Sequence, residues 1–535
     1  MRTPLPAIAA LVRAGAVERA WELFVAQGYV GRDDDVASQA VFGRLLKARG
    51  RLAEGAARQQ LFAEAARAYA LAHALSAAPY LAINAATLNF LAGNGSAAQL
   101  GARGVIALLD ARDGPADTPY FLAATRAEAL FLLGDRAGAE RQLDLAASHD
   151  PDGWADRATT IAQFREIAEA RGEQSEWLER FAPPASLHFA GHMGLMAGGN
   201  YERQLADAVD DLIRRERIGF AWGALAAGSD IVIAERLLAA GADVHAVLPC
   251  TPDLFEHQSV RPAGRAWQLR FHEVLAQATS VRLAAADPAA EHDPLATAHA
   301  GELAIGGALL NAAALSSGCC QLIVTDADGG GRNTSLQARM WPAARGPQHH
   351  LTIERDARIE ALFPPEWLDP ARALMVHVAI QIDELTRTTK LDSTAITALA
   401  APVWHGLAGV DPCSVRVGPG SWQLVVDDPG VALGAILTIQ EQCRKAGQPG
   451  PSIGAHIAIA TLVADPVSKA LVPYGPGMAL ANRLRAMAPP GLALVSDALA
   501  VTMVARQTVA ARSELYHAGD EESEGAVHVL LPLGQ

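Results

Sequence analysis

Apolar residues recur at helical spacing from the start of the chain to about residue 175. Short polar or glycine turns interrupt them at Gly15, Gly50, Gly93, Gly134 and Gly172. The last four lie roughly 40 residues apart, the period of helix-pair repeats. A representative unit runs from Tyr120 to Pro151: the helix FLAATRAEALFLLG, the turn Gly134-Asp135-Arg136, the helix AGAERQLDLAAS and the stop Asp150-Pro151. Alanine lets paired helices approach closely, leucine or phenylalanine fills the gap, and proline ends the second helix. Residues 1–178 are therefore expected to form an all-α repeat region that serves as a docking surface for a protein partner.

After Phe181-Ala182-Pro183-Pro184 the period changes. Apolar runs at Ser186–Phe189, Ile218–Trp222, Asp243–Leu248, Cys320–Thr325 and His350–Ile353 alternate with helical patterns at Tyr201–Arg215, Ile231–Ala240, Trp267–Ala276, Ala298–Leu315 and on through Met340. Strands alternating with helices predict a parallel sheet covered on both faces over residues 185–358. A second proline linker, Phe363-Pro364-Pro365, precedes residues 371–535. There the pattern predicts strands at 373–381, 414–417, 422–426, 453–462 and 492–496, with helices at 393–407, 430–445 and 478–487, an α+β order.

Composition narrows the functional classes. With 535 residues the chain exceeds one core. Its net charge of -14 argues against nucleic acid as a partner. The five cysteines, Cys250, Cys319, Cys320, Cys413 and Cys443, form no zinc-ligand spacing and suit a reducing cytoplasm. Arg13, Glu18 and Arg19 break the first apolar run, so it does not read as a secretory leader. The uncharged stretch from Leu303 to Thr325 is long enough to cross a bilayer. Asn311, Ser316, Ser317, Gly318 and Gln321 interrupt it, so it reads instead as a buried helix, a turn and a buried strand, with no membrane partner expected.

Parallel sheets bind ligands at the carboxyl ends of their strands. Three loops fall there. One begins at Gly191, one is Gly228-Ser229-Asp230, and one runs Asp328-Gly329-Gly330-Gly331-Arg332-Asn333-Thr334. Glycines admit backbone N–H groups to a phosphate, and a following helix N-terminus adds positive potential. Gly191, Gly228, Ser229, Asp230, Gly329, Gly330, Gly331, Asn333 and Thr334 are thus candidate nucleotide-binding residues, with Ser229 and Thr334 as hydroxyl donors.

Three resemblances follow. The helix pair at 120–151 resembles the tetratricopeptide repeat. GALAAGSDIVIAERLLAAGADVHAVLPC with GGGRNTSLQ resembles the SLOG group of Rossmann-like domains, which includes cytokinin-activating phosphoribohydrolases. Their pattern, like P-G-G-x-G-T-x-x-E, is matched at Gly330, Gly331 and Thr334. Asn333 replaces a glycine, and Gln337 replaces the glutamate that does acid/base work. The resemblance implies nucleotide binding and argues against hydrolysis. Glu235 reads either as a ribose or base contact or as part of a solvated helix face.

VRVGPGSWQLVVDDPGVALGAI and SIGAHIAIATLVADPVSKALVPYGPGMALANRLRAMAPPGLALVS resemble class III nucleotide cyclases, which implies a ferredoxin-like fold. That chemistry needs two carboxylates holding Mg or Mn ions. The hairpin carboxylate falls at Pro419, and the first is matched weakly by Asp383, which also reads as a solvated loop residue. Pro476 and Ala479 stand where base-reading and ribose-orienting residues belong. Arg483 matches the transition-state arginine, and His456 a structural histidine. No metal site or catalytic set is expected beyond the candidates Asp383 and Arg483.

Three readings compete. One is a non-catalytic nucleotide-sensing signalling protein whose cyclase-like part dimerises. The second is an active class III purine-nucleotide cyclase with an atypical site, and the third a nucleotide-processing enzyme centred on the middle domain. Pro419 weighs against the second and Gln337 against the third.

Overall fold

The computed structural model describes residues 5–111, 117–285, 293–329, 331–341, 343–356, 371–387, 392–467, 469–507, 511–517 and 525–532. The predicted linker at 363–365 and Gly330 lie outside them. By internal contacts the chain divides into two compact units, Met1–Pro183 and Pro184–Gln535.

The first unit holds helices α1 (Leu5–Arg13), α2 (Val17–Ala26), α3 (Val36–Leu52), α4 (Gly55–Ser76), α5 (Pro79–Leu91), α6 (Gly95–Asp110), α7 (Pro119–Leu132), α8 (Arg136–His149) and α9 (Trp154–Arg171). From α3 to α8 each helix packs on the next in the chain. Gly93, Gly134 and Gly172 take the left-handed conformation that ends a helix. Asp135 caps α8 by accepting from Gly138 N at 2.8 Å. Gly50 does not make the expected turn. It lies inside α3, where an added Cβ would stand 2.7 Å from the Phe62 ring. Its role is close helix packing, and the chain turns after Leu52 instead.

The second unit opens with a six-stranded parallel sheet: β1 (Ala185–Ala190), β2 (Ile218–Gly223), β3 (Asp243–Leu248), β4 (Ser280–Leu283), β5 (Cys319–Thr325) and β6 (Gln348–Thr352). The order is β4-β3-β2-β1-β5-β6, so the sheet winds in both directions from β1. Its helices are α10 (Asn200–Glu216), α11 (Ser229–Ala239), α12 (Pro252–Ser259), α13 (Arg265–Gln277), α14 (Pro294–Leu315) and α15 (Arg332–Met340). Alternation along β1 sends Leu187 and Phe189 into the core with α10 and α11. Ser186 and His188 face α14 and α15, where each finds a hydrogen-bond partner. The uncharged stretch is α14, a turn and β5, and no helix among the described residues is long and apolar enough to cross a membrane.

A mixed sheet follows: β7 (Arg372–Gln381), β8 (Ser414–Gly418), β9 (Ser421–Val426), β10 (Ser452–Ala464), β11 (Leu471–Tyr474), β12 (Ala493–Ser496), β13 (Ala511–His517) and β14 (Val527–Pro532). With α16 (Asp383–Arg387), α17 (Ser393–Leu407) and α18 (Pro429–Lys445), its first half reads βαββαβ in the order β10-β7-β9-β8, the ferredoxin-like arrangement. Val376, Val378 and Ile380 of β7 pack with α17, α18 and α20 (Asp497–Ala505). The opposite face takes α19 (Gly477–Met487). There Gly454 has no room for a Cβ, which would lie 2.1 Å from Ala481 O.

Candidate functional site

The order reversal in the parallel sheet falls between β1 and β5, and the loops leaving those two strands diverge there. A cavity of about 350 Å³ opens at this point, within the range of small-molecule sites. Phe189, Val247, Pro249, Phe255, Ala300 and Ala304 give it an apolar slot. Gly331, Arg332 and Asn333 bring the first turn of α15 to its edge.

Of the residues singled out above, Gly191, Asp230, Gly331, Asn333 and Thr334 line this one cavity. Their roles differ from a uniform phosphate cradle. Asp230 Oδ1 accepts from Gly191 N at 2.9 Å, and Oδ2 from Ala226 N at 3.3 Å. A side-chain carboxyl thus already occupies the donors beside the N-terminus of α11. Burial raises its pKa to about 7, against the lowering effect of those two bonds. Ser229 is wholly buried behind Gly191, whose added Cβ would stand 2.3 Å from Ser229 Cβ. Its hydroxyl therefore does not face the cavity. Gly228 adopts φ 98° at the same crossing. Thr334 Oγ1 donates its one proton to Gly191 O at 3.1 Å, tying the first loop to α15. Gly329 O accepts from Arg355 at 3.2 Å, and Arg355 also pairs with Asp326 at 2.6 Å. Glu235 is no ligand contact: it pairs with Arg270 on α13 through both carboxylate oxygens.

The part of the cavity that could face an anion is therefore narrower than the sequence pattern implied. It consists of the α15 N-terminus at Gly331, with the exposed Arg332 at the mouth. Sequence reasoning missed Phe255, Gln258, Thr297 and Arg355, which line the cavity from segments without motifs. It also missed His188, a buried histidine on β1 whose pKa burial lowers to about 3.

In the mixed sheet the hairpin turn Pro419-Gly420 meets the end of β7. Ile382 N donates to Gly420 O at 2.9 Å, and a Cβ on Gly420 would press on Leu385. The last residue of β7 is Gln381, opposite Ser421 and Ser452. Asp383, matched above to the strand-end carboxylate, instead begins α16 and accepts from Gln381 Nε2 at 2.9 Å. Arg483 is exposed on α19; the arginine that reaches the strand end is Arg485, bonded to Gln381 Oε1. Pro476 serves as the N-cap of α19, and Ala479 lies in its first turn. His456 Nδ1 meets Ser496 Oγ at 2.8 Å, a part-buried contact between β10 and β12. An amide and a proline at the strand end and turn do not fit a divalent metal pair. Among the described residues, no three His, Cys, Asp or Glu side chains gather to hold a metal.

No family model matches the chain, and no curated protein matches it. Solved structures of nucleotide cyclase domains match over about a third of its length. Adenylate cyclases from Trypanosoma brucei in their monomeric state match at 14% identity and a TM-score of 0.25, covering 30% of this chain and 88% of theirs. The guanylate cyclase domain of RhGC from Catenaria anguillulae, in complex with GTP, matches at 14% identity and a TM-score of 0.24, covering 30% and 94%. An adenylyl cyclase from P. aeruginosa matches at 13% identity and a TM-score of 0.24, covering 31% and 95%.

Proposed function

We propose that this chain is a non-catalytic nucleotide-sensing protein. Its ligand is a small phosphate-bearing molecule held in the parallel-sheet cavity, and its ferredoxin-like part is a cyclase-like module without turnover. The cavity carries the reading. An apolar slot in a cavity of about 350 Å³ meets a helix N-terminus with an arginine beside it, which suits one anionic group. The helical repeats supply a partner-docking surface, and the cyclase-like module a dimer contact.

Gln381 at the end of β7 and Pro419 in the facing turn support the loss of turnover, because neither offers a charged oxygen. Gln337 supports the absence of hydrolysis, because a glutamine does not exchange protons near neutral pH. Two assays on the full chain test the reading. Titration calorimetry with AMP should show saturable binding, and ATP or GTP with Mg²⁺ or Mn²⁺ should yield no cyclic nucleotide above a blank. Cyclic product that disappears with Asp383→Ala would establish the active-cyclase reading instead. Absence of AMP binding would remove the nucleotide.

A further inference from the structure

A chain of side chains on the α14–α15 side of the parallel sheet, buried at Gln321 and His188 and half-buried at its two ends, ends at the cavity. It starts at Gln348 on β6, whose Nε2 donates to Ala338 O at 2.8 Å and to Gln321 Oε1. A backbone carbonyl only accepts, so this amide has one orientation. Gln321 Oε1 is thereby an acceptor. Its Nε2 donates to Gln337 O at 3.1 Å and meets His188 Nδ1 at 2.9 Å. A second backbone carbonyl confirms that orientation. His188 Nδ1 must then accept, which leaves the proton on Nε2. That nitrogen lies 3.0 Å from Gln337 Oε1. Every bond in the chain has a single polarity, set by the two backbone carbonyls Ala338 O and Gln337 O.

The last member is Gln337. Its oxygen is taken by His188, so its NH₂ is the end left for other partners. Among the described residues that NH₂ has no hydrogen-bond partner, and Gln337 lines the cavity. It rests against Gly301 of α14, where an added Cβ would lie 3.2 Å from Nε2. Gln337 sits about 8 Å along α15 from the first turn. An anion at that turn would place a ring of the same molecule beside Gln337.

We propose that the Gln348–Gln321–His188 chain locks Gln337 as a hydrogen-bond donor, so that the site selects ligands carrying a neutral acceptor, a carbonyl oxygen or an unprotonated ring nitrogen, one ring away from their anionic group. This deepens the nucleotide reading and rests on it for the choice of probe. Gln337 acts by direct contact with ligand; His188 is a positioning residue. Burial keeps His188 neutral, as the relay requires.

Two measurements on the full chain test this. The first needs no ligand: selective ¹⁵N-histidine labelling should show His188 as the neutral Nε2–H tautomer from pH 5.5 to 8. An Nδ1–H or cationic His188 would overturn the proposal. The second is AMP binding by wild type, Gln337→Glu and Gln337→Met at pH 7.5 and 5.5. Glutamate accepts from His188 but has no proton to offer at pH 7.5, so Gln337→Glu should weaken AMP by about tenfold or more. Much of that loss should return at pH 5.5 as the carboxyl protonates, measured against wild type at the same pH. Gln337→Met should weaken AMP at both pH values without recovery. Equal affinity of wild type and Gln337→Glu at pH 7.5 overturns the proposal. Failure of wild type to bind AMP counts against the nucleotide reading itself, and the tautomer then decides this one.

Discussion

His188, His377 and His456 are each held neutral by burial, their pKa values brought down to about 3, 4 and 3. In the unfolded chain each titrates near its ordinary value of about 6.5. The folded form therefore binds fewer protons below pH 6.5, and stability falls with acid at about 2 kcal/mol per histidine by pH 5. Asp230 works in the opposite direction. Its pKa is raised to about 7, so between the ordinary carboxyl range and neutrality the folded state holds the extra proton and gains stability as pH drops. That gain offsets roughly one histidine. The urea midpoint should fall from pH 6.5 to pH 5, and His188→Gln should reduce the fall. A midpoint that rises toward pH 5 would mean that the histidines are not buried neutral.

Gly331 shows how an element boundary builds the site. It caps α15 at φ 82° and ψ 170°, a backbone region closed to residues with a Cβ. Nothing lies within 4 Å of a Cβ placed there, so within the chain itself the constraint is conformational rather than steric. Gly331→Val should move the first turn of α15, cost about 1–3 kcal/mol of stability, and weaken AMP by at least tenfold. Calorimetry and thermal unfolding check both numbers; AMP affinity equal to wild type would separate the loop from the ligand. The glycine run, the strand before it and the helix after it were legible in the sequence. The distribution of tasks among the residues was not, because Thr334, Asp230 and Ser229 are committed to contacts with loops far away in the chain. Element ends were similarly informative only in part. The pattern gives the helix at 393–407 directly. It does not give the edge strand β4, whose four residues Ser280–Leu283 are half exposed and carry no alternation. Nor does it give β11, β13 and β14 of the mixed sheet.

At the scale of the molecule, α14 has two occupied faces. One lines the cavity with Thr297, Ala300, Gly301 and Ala304. The other packs against α20 of the mixed-sheet part, where a Cβ on Gly306 would lie 2.1 Å from Val501 O. Glu302 of α14 holds Arg506 at 2.7 and 3.1 Å, and Arg282 of β4 pairs with Asp497 at 2.5 Å. The two sheets are thus joined through a helix that also lines the cavity. Gly306→Val should force α14 and α20 apart and split the unfolding of residues 184–535 into two transitions in differential scanning calorimetry. A single unchanged transition would mean that the contact contributes nothing. The proposed dimer is tested on the full chain by light scattering. Val463, Val467, Leu471 and Tyr474 expose apolar surface around the β10–β11 arm. A dimer at tens of micromolar, reduced to monomer by Leu471→Asp, is the expected outcome. A monomer at that concentration would leave the module without its proposed role.

The alternation of apolar runs with helical periods by itself determined the parallel sheet, because strands buried on both faces read as short continuous apolar segments. Helical periodicity in the first third likewise determined stacked helices, and Pro419 by itself puts no side-chain oxygen in the hairpin turn. Only the tertiary structure decided where β7 ends. A shift of two residues along that strand exchanges Asp383 for Gln381, and cross-strand pairing with Ser421 and Ser452 sets the end. The orientation of Gln337 was decided in the same way. Its polarity is set by Ala338 O and its own carbonyl through Gln348, Gln321 and His188, side chains brought together by three neighbouring strands and one helix. Local pattern records which face of an element is buried. It does not record which buried polar group meets which, and in this protein that pairing sets which end of Gln337 is left at the cavity.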